Sequence, residues 1–192
     1  MNNENRKIIF LFPLLIYLIS ALVGCTSSQE RRILVVHSYE ETYTAYPEFN
    51  RLIAKQFKKE GVNADIRTLY LDCESYKEET ELKRMRYLLD SVSGDWRPEV
   101  ILVNEDQATY SLLKCGDPLV KEVPVVFAGV NYPNWELLKQ YPNATGFHDK
   151  IGFVQNAEMA RKLFGDSVRL FTLLDSTFLD VQIRKDARKQ LA

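Results

Sequence analysis

Two apolar runs, Val100 to Val103 and Val123 to Val130, constrain the fold of this chain more than any other feature. Neither alternates with polar residues, so neither reads as a strand with one face in water. Unbroken Val, Ile, Leu and Phe are what a parallel strand covered on both faces carries. Between them, Ala108, Leu112 and Leu113 sit at helical spacing. Each run gives way to polar residues, NEDQAT after the first and NYPN after the second. Ligands of open α/β sheets gather at the carboxyl ends of the strands, so the chain is expected to bind something at that edge.

The same alternation begins earlier. Ile33 to Val36 is a first strand, and Pro47 opens a helix whose Phe49, Leu52, Ile53 and Phe57 share a face until Gly61 stops it. Ala64 to Leu71 alternates enough to be an edge strand. Leu82, Met85, Leu88, Leu89 and Val92 give a second helix, closed by Gly94. Strand and helix in strict turn predict an α/β fold with a doubly wound parallel sheet and helices on both faces. After Asn134 the rhythm changes. WELLKQY predicts a short helix, TGF a brief strand, and Phe153, Ala157, Ala160, Leu163 and Phe164 an amphipathic helix. Val168 to Leu174 predicts a fresh strand, and Asp175-Ser176-Thr177 a cap for a closing helix through Ile183 to Leu191. One strand and one helix cannot bury a core of their own, so they either dock on the first domain or begin a second lobe.

With 192 residues, 46% hydrophobic and 27% charged, the chain has a globular composition. A net charge of -1 lacks the concentrated basic face that nucleic acid demands. Arg6 and Lys7 precede an apolar run from Ile8 to Val23 that is interrupted by Pro13 and is short of the roughly 20 residues a spanning helix needs. It reads as a secretory segment. Its end, Leu22-Val23-Gly24-Cys25, resembles a lipoprotein signal box, which implies lipidation of Cys25 and an exported, membrane-anchored protein; an uncleaved signal anchor is the other reading. Cys73 and Cys115 are predicted at opposite edges of the sheet, hence as two separate thiols rather than a disulfide.

The blocks ILVVHSYEETYTAYPEFNRLI, YLDCESY, PEVILVNEDQATYSLL and VPVVFAGVNYPN, in that order and spacing, resemble the amino-terminal lobe of the type I periplasmic-binding-protein fold. More narrowly they are similar to ABC-transporter substrate-binding-like domains that also serve as extracytoplasmic sensor regions of bacterial histidine kinases. The resemblance covers roughly Ile33 to Gly165. Together with the lipoprotein signal box, it implies a signal peptide over 1–25, a linker over 26–32, a ligand-binding lobe over 33–150, and over 151–192 a connecting helix with the first strand-helix unit of an incomplete second lobe. It implies a small polar or aromatic solute as ligand, a kinase or a permease as partner, and no cofactor.

In such a fold the contacts come from loops after successive strands. That selects His37, Ser38, Tyr39 and Tyr43 after the first, Asn104, Glu105 and Asp106 after the third, and Gly129, Asn131 and Tyr132 after the fourth. Their hydroxyls, amides, carboxylates and rings suit a polar or partly aromatic ligand. Each also has a structural reading. Asn104 with Gln107 matches a capping box, Gly129 permits a turn, His37 follows a buried strand as a hydrogen-bonded histidine would, and NYPN is turn chemistry. Tyr39, Tyr43 and Tyr46 are rings on a loop with no evident structural need, fit either for a ligand or for the interface of a homodimer. Catalysis is not expected. The chain has no Gly-rich phosphate loop, no nucleophile elbow and only two histidines, His37 and His148, and the adjacent Glu105 and Asp106 would point about 100° apart at a helix start.

Overall fold

A computed structural model of the chain describes residues 29–174, 176 and 178–191. The predicted signal segment with Cys25, the start of the linker, and Asp175 and Thr177 of the predicted cap lie outside the described residues. Five strands, β1 (Arg31–His37), β2 (Ala64–Tyr70), β3 (Val100–Asn104), β4 (Val125–Val130) and β5 (Ala144–His148), form one sheet in the order β2-β1-β3-β4-β5. Every pairing is parallel. Helices α1 (Tyr46–Lys59), α2 (Glu78–Ser93), α3 (Asp106–Lys114), α4 (Leu119–Glu122) and α5 (Trp135–Leu138) fill the connections, and α6 (Phe153–Phe164) and α7 (Phe178–Leu191) follow β5. Among the described residues no helix is long and apolar enough to cross a membrane.

Alternate residues of the strands supply one side of the core. Leu34 and Val36 of β1, Ile101 and Val103 of β3, and Val125 and Phe127 of β4 pack with Met85 and Leu89 of α2 and Leu112 and Leu113 of α3. Ile33 and Val35, which point the other way along β1, are buried as well. β1 is therefore covered on both faces. On β3 and β4 the outcome is less symmetrical than the unbroken apolar runs predict: Val100, Leu102, Val126 and Ala128 are only half-buried.

The predicted edge strand is β2, and the brief TGF strand becomes β5 at the opposite edge. The strand predicted over Val168 to Leu174 does not form. Those residues have no regular structure, and Phe171 and Leu173 are 91% and 99% exposed. A strand needs a neighbour for its amides and carbonyls, and among the described residues this segment pairs with none. Its apolar pattern records a capacity to pair without the pairing.

Gly146 marks where β5 meets β4 most closely. It pairs with Phe127 just before the register becomes irregular, and a Cβ there would lie 2.1 Å from the Phe127 carbonyl oxygen and 2.6 Å from its ring. Gly146→Ala is expected to cost about 1–3 kcal/mol, because backbone rather than a flexible side chain must yield. Urea denaturation checks this; an unchanged midpoint would show that β5 shifts freely.

Candidate functional site

The parallel register lines up the strand ends. His37 pairs with Tyr70 on one side and Asn104 on the other, so β2, β1 and β3 finish in one row, level with Ala128 of β4, which runs on to Val130. The loops beyond that row carry the residues singled out from the sequence.

His37 lies beneath this edge. It is fully buried, its Nε2 is 2.8 Å from Asn50 Oδ1, and its ring stacks on Tyr46 at 3.9 Å. Burial lowers its pKa below 6.5, and the Asn50 hydrogen bond offsets this only in part. Ser38, also buried, has a double task. Its hydroxyl donates to the Asn104 carbonyl at 3.1 Å and accepts the Ala108 amide at 2.9 Å. The amino terminus of α3 is thus satisfied from β1, 70 residues away.

That arrangement overturns the capping box expected of Asn104 and Gln107. No side chain at the start of α3 caps it; Asn104 instead ends β3, and Gln107 donates to Glu81. The residue at the capping position is Glu105, with φ 74° and ψ 167°. Such a backbone is nearly confined to glycine and costs about 1–3 kcal/mol for other residues. It turns the Glu105 side chain back over the sheet, where its carboxylate accepts the Tyr46 hydroxyl at 2.7 Å. Tyr46 in turn accepts the Tyr39 amide at 3.0 Å. Burial raises the Glu105 pKa above the ordinary carboxylate value, with the Tyr46 hydrogen bond pulling the other way.

The three tyrosines separate into two roles. Tyr46 is buried, and its stacking on His37 and its hydroxyl bonds give it the structural need that the sequence did not reveal. Tyr39 and Tyr43 stack on each other at 4.8 Å; Tyr43 is 37% exposed, while Tyr39 is half-buried.

Asp106, adjacent to Glu105, faces the other way. Its carboxylate accepts the amide of Asn131 at 2.9 Å and of Tyr132 at 2.8 Å, and lies 3.3 Å from Asn131 Nδ2. Asp106, Asn131 and Tyr132 therefore satisfy one another and fix the loop after β4. Tyr132 extends the tie to α7 through Asp186, 3.2 Å from its hydroxyl. Gly129 stands between the two sets. Its φ of +66° suits glycine, and a Cβ there would lie 3.1 Å from Asn104 Oδ1 and 3.5 Å from Glu105 Cγ.

Glu81 was missed by the sequence reading. It is a buried carboxylate on α2 that accepts hydrogen bonds from Gln107 and Ser111, and burial raises its pKa. Its signal was available: it precedes Met85 and Leu89 by four and eight positions, so helical spacing puts all three on one buried face. Cys73 lines the same cleft, with its thiol pushed up to about 12 chiefly by burial and then by nearby carboxylates. Cys73 and Cys115 are both free. Among the described residues no group of His, Cys, Asp and Glu could hold a metal ion.

These buried groups make stability depend on pH in two directions. His37 has a lowered folded pKa, so its contribution is complete above 6.5 and is lost as pH falls through the folded value. Glu81 has a raised one, so its contribution is complete below 4.5 and is lost as pH rises through the folded value. Thermal melts across pH should show His37→Gln flattening the loss below 6.5 and Glu81→Gln flattening the loss on the rising side.

No protein-family model matches the sequence, and no curated protein does. Solved structures do share its architecture. A conserved domain protein from Vibrio cholerae O1 biovar El Tor has a TM-score of 0.54 at 17% identity, over 71% of this chain and 44% of that one. The ligand-free, open structure of a substrate-binding protein with adhesive properties from Clostridium difficile gives 0.53 at 13% identity, over 84% and 53%. The chain thus spans about half the length of these structures. At such identities the likeness speaks for the fold alone. With its five-stranded all-parallel sheet flanked by helices, the chain has the α/β architecture of a periplasmic-binding-protein-like lobe.

Proposed function

We propose that this chain is the solute-binding lobe of an exported, membrane-anchored protein, and that it serves as the extracytoplasmic sensing region of a two-component, histidine-kinase-type signalling protein. One observation carries the binding role. At the carboxyl edge of the sheet a stacked pair of tyrosines, Tyr43 exposed and Tyr39 half-buried, stands on the loop beside a carboxylate held in a strained backbone, while the neighbouring loop is fixed by Asp106. Partly exposed rings on a loop at the end of a strand are characteristic of ligand sites. The sensing role rests on the sequence blocks that resemble kinase sensor regions. In this reading the ligand favours a closed arrangement of two lobes, of which α6, α7 and the segment between them begin the second, and that closure is what the kinase receives. No catalytic step is assigned to these residues.

A second reading, a substrate-binding lipoprotein of an ABC transporter, is favoured by the likeness to the C. difficile substrate-binding protein. The coding sequence around this chain separates the two: a membrane helix and kinase domains support sensing, and a second lobe alone supports transport.

Thermal-shift screening with small polar and aromatic solutes tests the site. A solute present at 100 times its Kd should stabilise the protein by about 2.7 kcal/mol. Replacing Tyr39 and Tyr43 with Ala should abolish that shift while the ligand-free melting temperature stays near wild type. A large fall without ligand would place both rings in the core and remove the site. The anchor is tested separately: Cys25→Ser should release the protein from the membrane fraction, and unchanged partitioning into detergent would overturn the lipoprotein reading.

A further inference from the structure

The solute's charge class can be argued from the same edge, an inference that rests on the binding role proposed above. Glu105 occupies the capping position of α3, where the shorter Ser, Thr, Asp or Asn ordinarily accepts a helix amide. Its side chain makes no such bond, and Ser38 accepts the Ala108 amide instead. The carboxylate faces the tyrosine loop, held there by hydrogen bonds from the Tyr46 hydroxyl and from Ser38 and by a backbone that glycine would adopt with less strain. After burial itself, the Glu105 carboxylate is the group that acts most strongly on the Tyr39 hydroxyl, and the Tyr46 hydroxyl that binds this carboxylate also accepts the Tyr39 amide. Tyrosine ring faces are themselves negative and attract cations.

Elsewhere the protein supplies its own cations to aromatic faces. The guanidinium of Arg67 lies over Trp96 at 4.4 Å, that of Arg84 over Tyr76 at 5.0 Å, and the Lys114 ammonium over Tyr110 at 4.7 Å. Among the described residues no such contact covers Tyr39 or Tyr43, which stack only on tyrosines. The ring pair that stands beside Glu105 is thus one without a cation of its own among the described residues.

We propose that Tyr39, Tyr43 and Glu105 form the recognition site for an organic cation, an ammonium or quaternary ammonium group seated against the tyrosine faces with the Glu105 carboxylate as its counter-charge. An anion would meet carboxylates there. A neutral aromatic molecule could stack on the rings but would leave the carboxylate unused.

Three probes sharing one ring but differing in charge test this: benzyltrimethylammonium, benzyl alcohol and benzoate, each titrated into the isotope-labelled chain and read at the Tyr39 and Tyr43 ring resonances. The cation should saturate both, the alcohol should need at least a tenfold higher concentration, and benzoate should leave them unmoved. Glu105→Gln, which keeps the shape, should weaken the cation at least tenfold with little change in melting temperature. Glu105→Gly should weaken it as much and raise the melting temperature, since it relieves the backbone. Equal binding of cation and alcohol, or wild-type affinity in Glu105→Gln, would overturn the charge class and leave the solute-binding role standing. If no probe moves either ring, the inference falls, and the binding role stands only if a hit from the solute screen is blocked by Tyr39→Ala. A lower melting temperature in Glu105→Gly would make Glu105 a structural residue and overturn the inference as well.

Discussion

Everything at the carboxyl edge depends on how completely β1 is enclosed. It is paired along its length with β2 and over five residues with β3, and its side chains from Ile33 to His37 are buried on both faces. A parallel strand in that position cannot end loosely, since its last polar groups would be stranded away from water. The chain resolves this within two residues. The His37 carbonyl takes the Leu71 amide and the Ser38 carbonyl takes the Cys73 amide, which extends the β1–β2 pairing into the loops. The tyrosine loop therefore departs from a rigid base.

From that base two adjacent carboxylates divide the edge between them. Glu105 turns toward β1 and the tyrosines, and Asp106 toward the loop after β4. The division exists because the Glu105 backbone breaks the helical trajectory one residue before α3 begins. A regular helix start would set the two about 100° apart. The observed backbone sends them to opposite sides of β3, so one carboxylate holds the structure and its neighbour faces the proposed ligand.

Much of this architecture was legible in the sequence. The strand-helix alternation, the edge position of β2, the short β5 and the two separate thiols follow from periodicity, because burial on a sheet or helix imposes its spacing directly on the residues. Contacts between distant segments leave no such trace. Nothing near Asn104 announces that Ser38 will satisfy the start of α3, so the local Asn-x-x-Gln pattern points to a capping box that the fold does not use. Tyr46 reads as one of three equivalent loop rings, and only its stacking on His37 separates it from Tyr39 and Tyr43. Val168 to Leu174 fails as a strand for the same reason: hydropathy records what a segment could bury, and pairing depends on what stands beside it.

The Ser38 hydroxyl also bears on the order in which the chain folds. α3 has nine residues, too few for an isolated helix to persist in water. The group that completes its first turn comes from Ser38, just past the end of β1 and 70 residues earlier. A β3–α3 unit emerging by itself lacks that group, so α3 becomes fully formed only once β1 has docked alongside β3. The rate-limiting assembly of this lobe should then include the closure of the long β1–β3 loop, with α1 and α2 carried inside it, rather than a sequential addition of strand-helix units from one end.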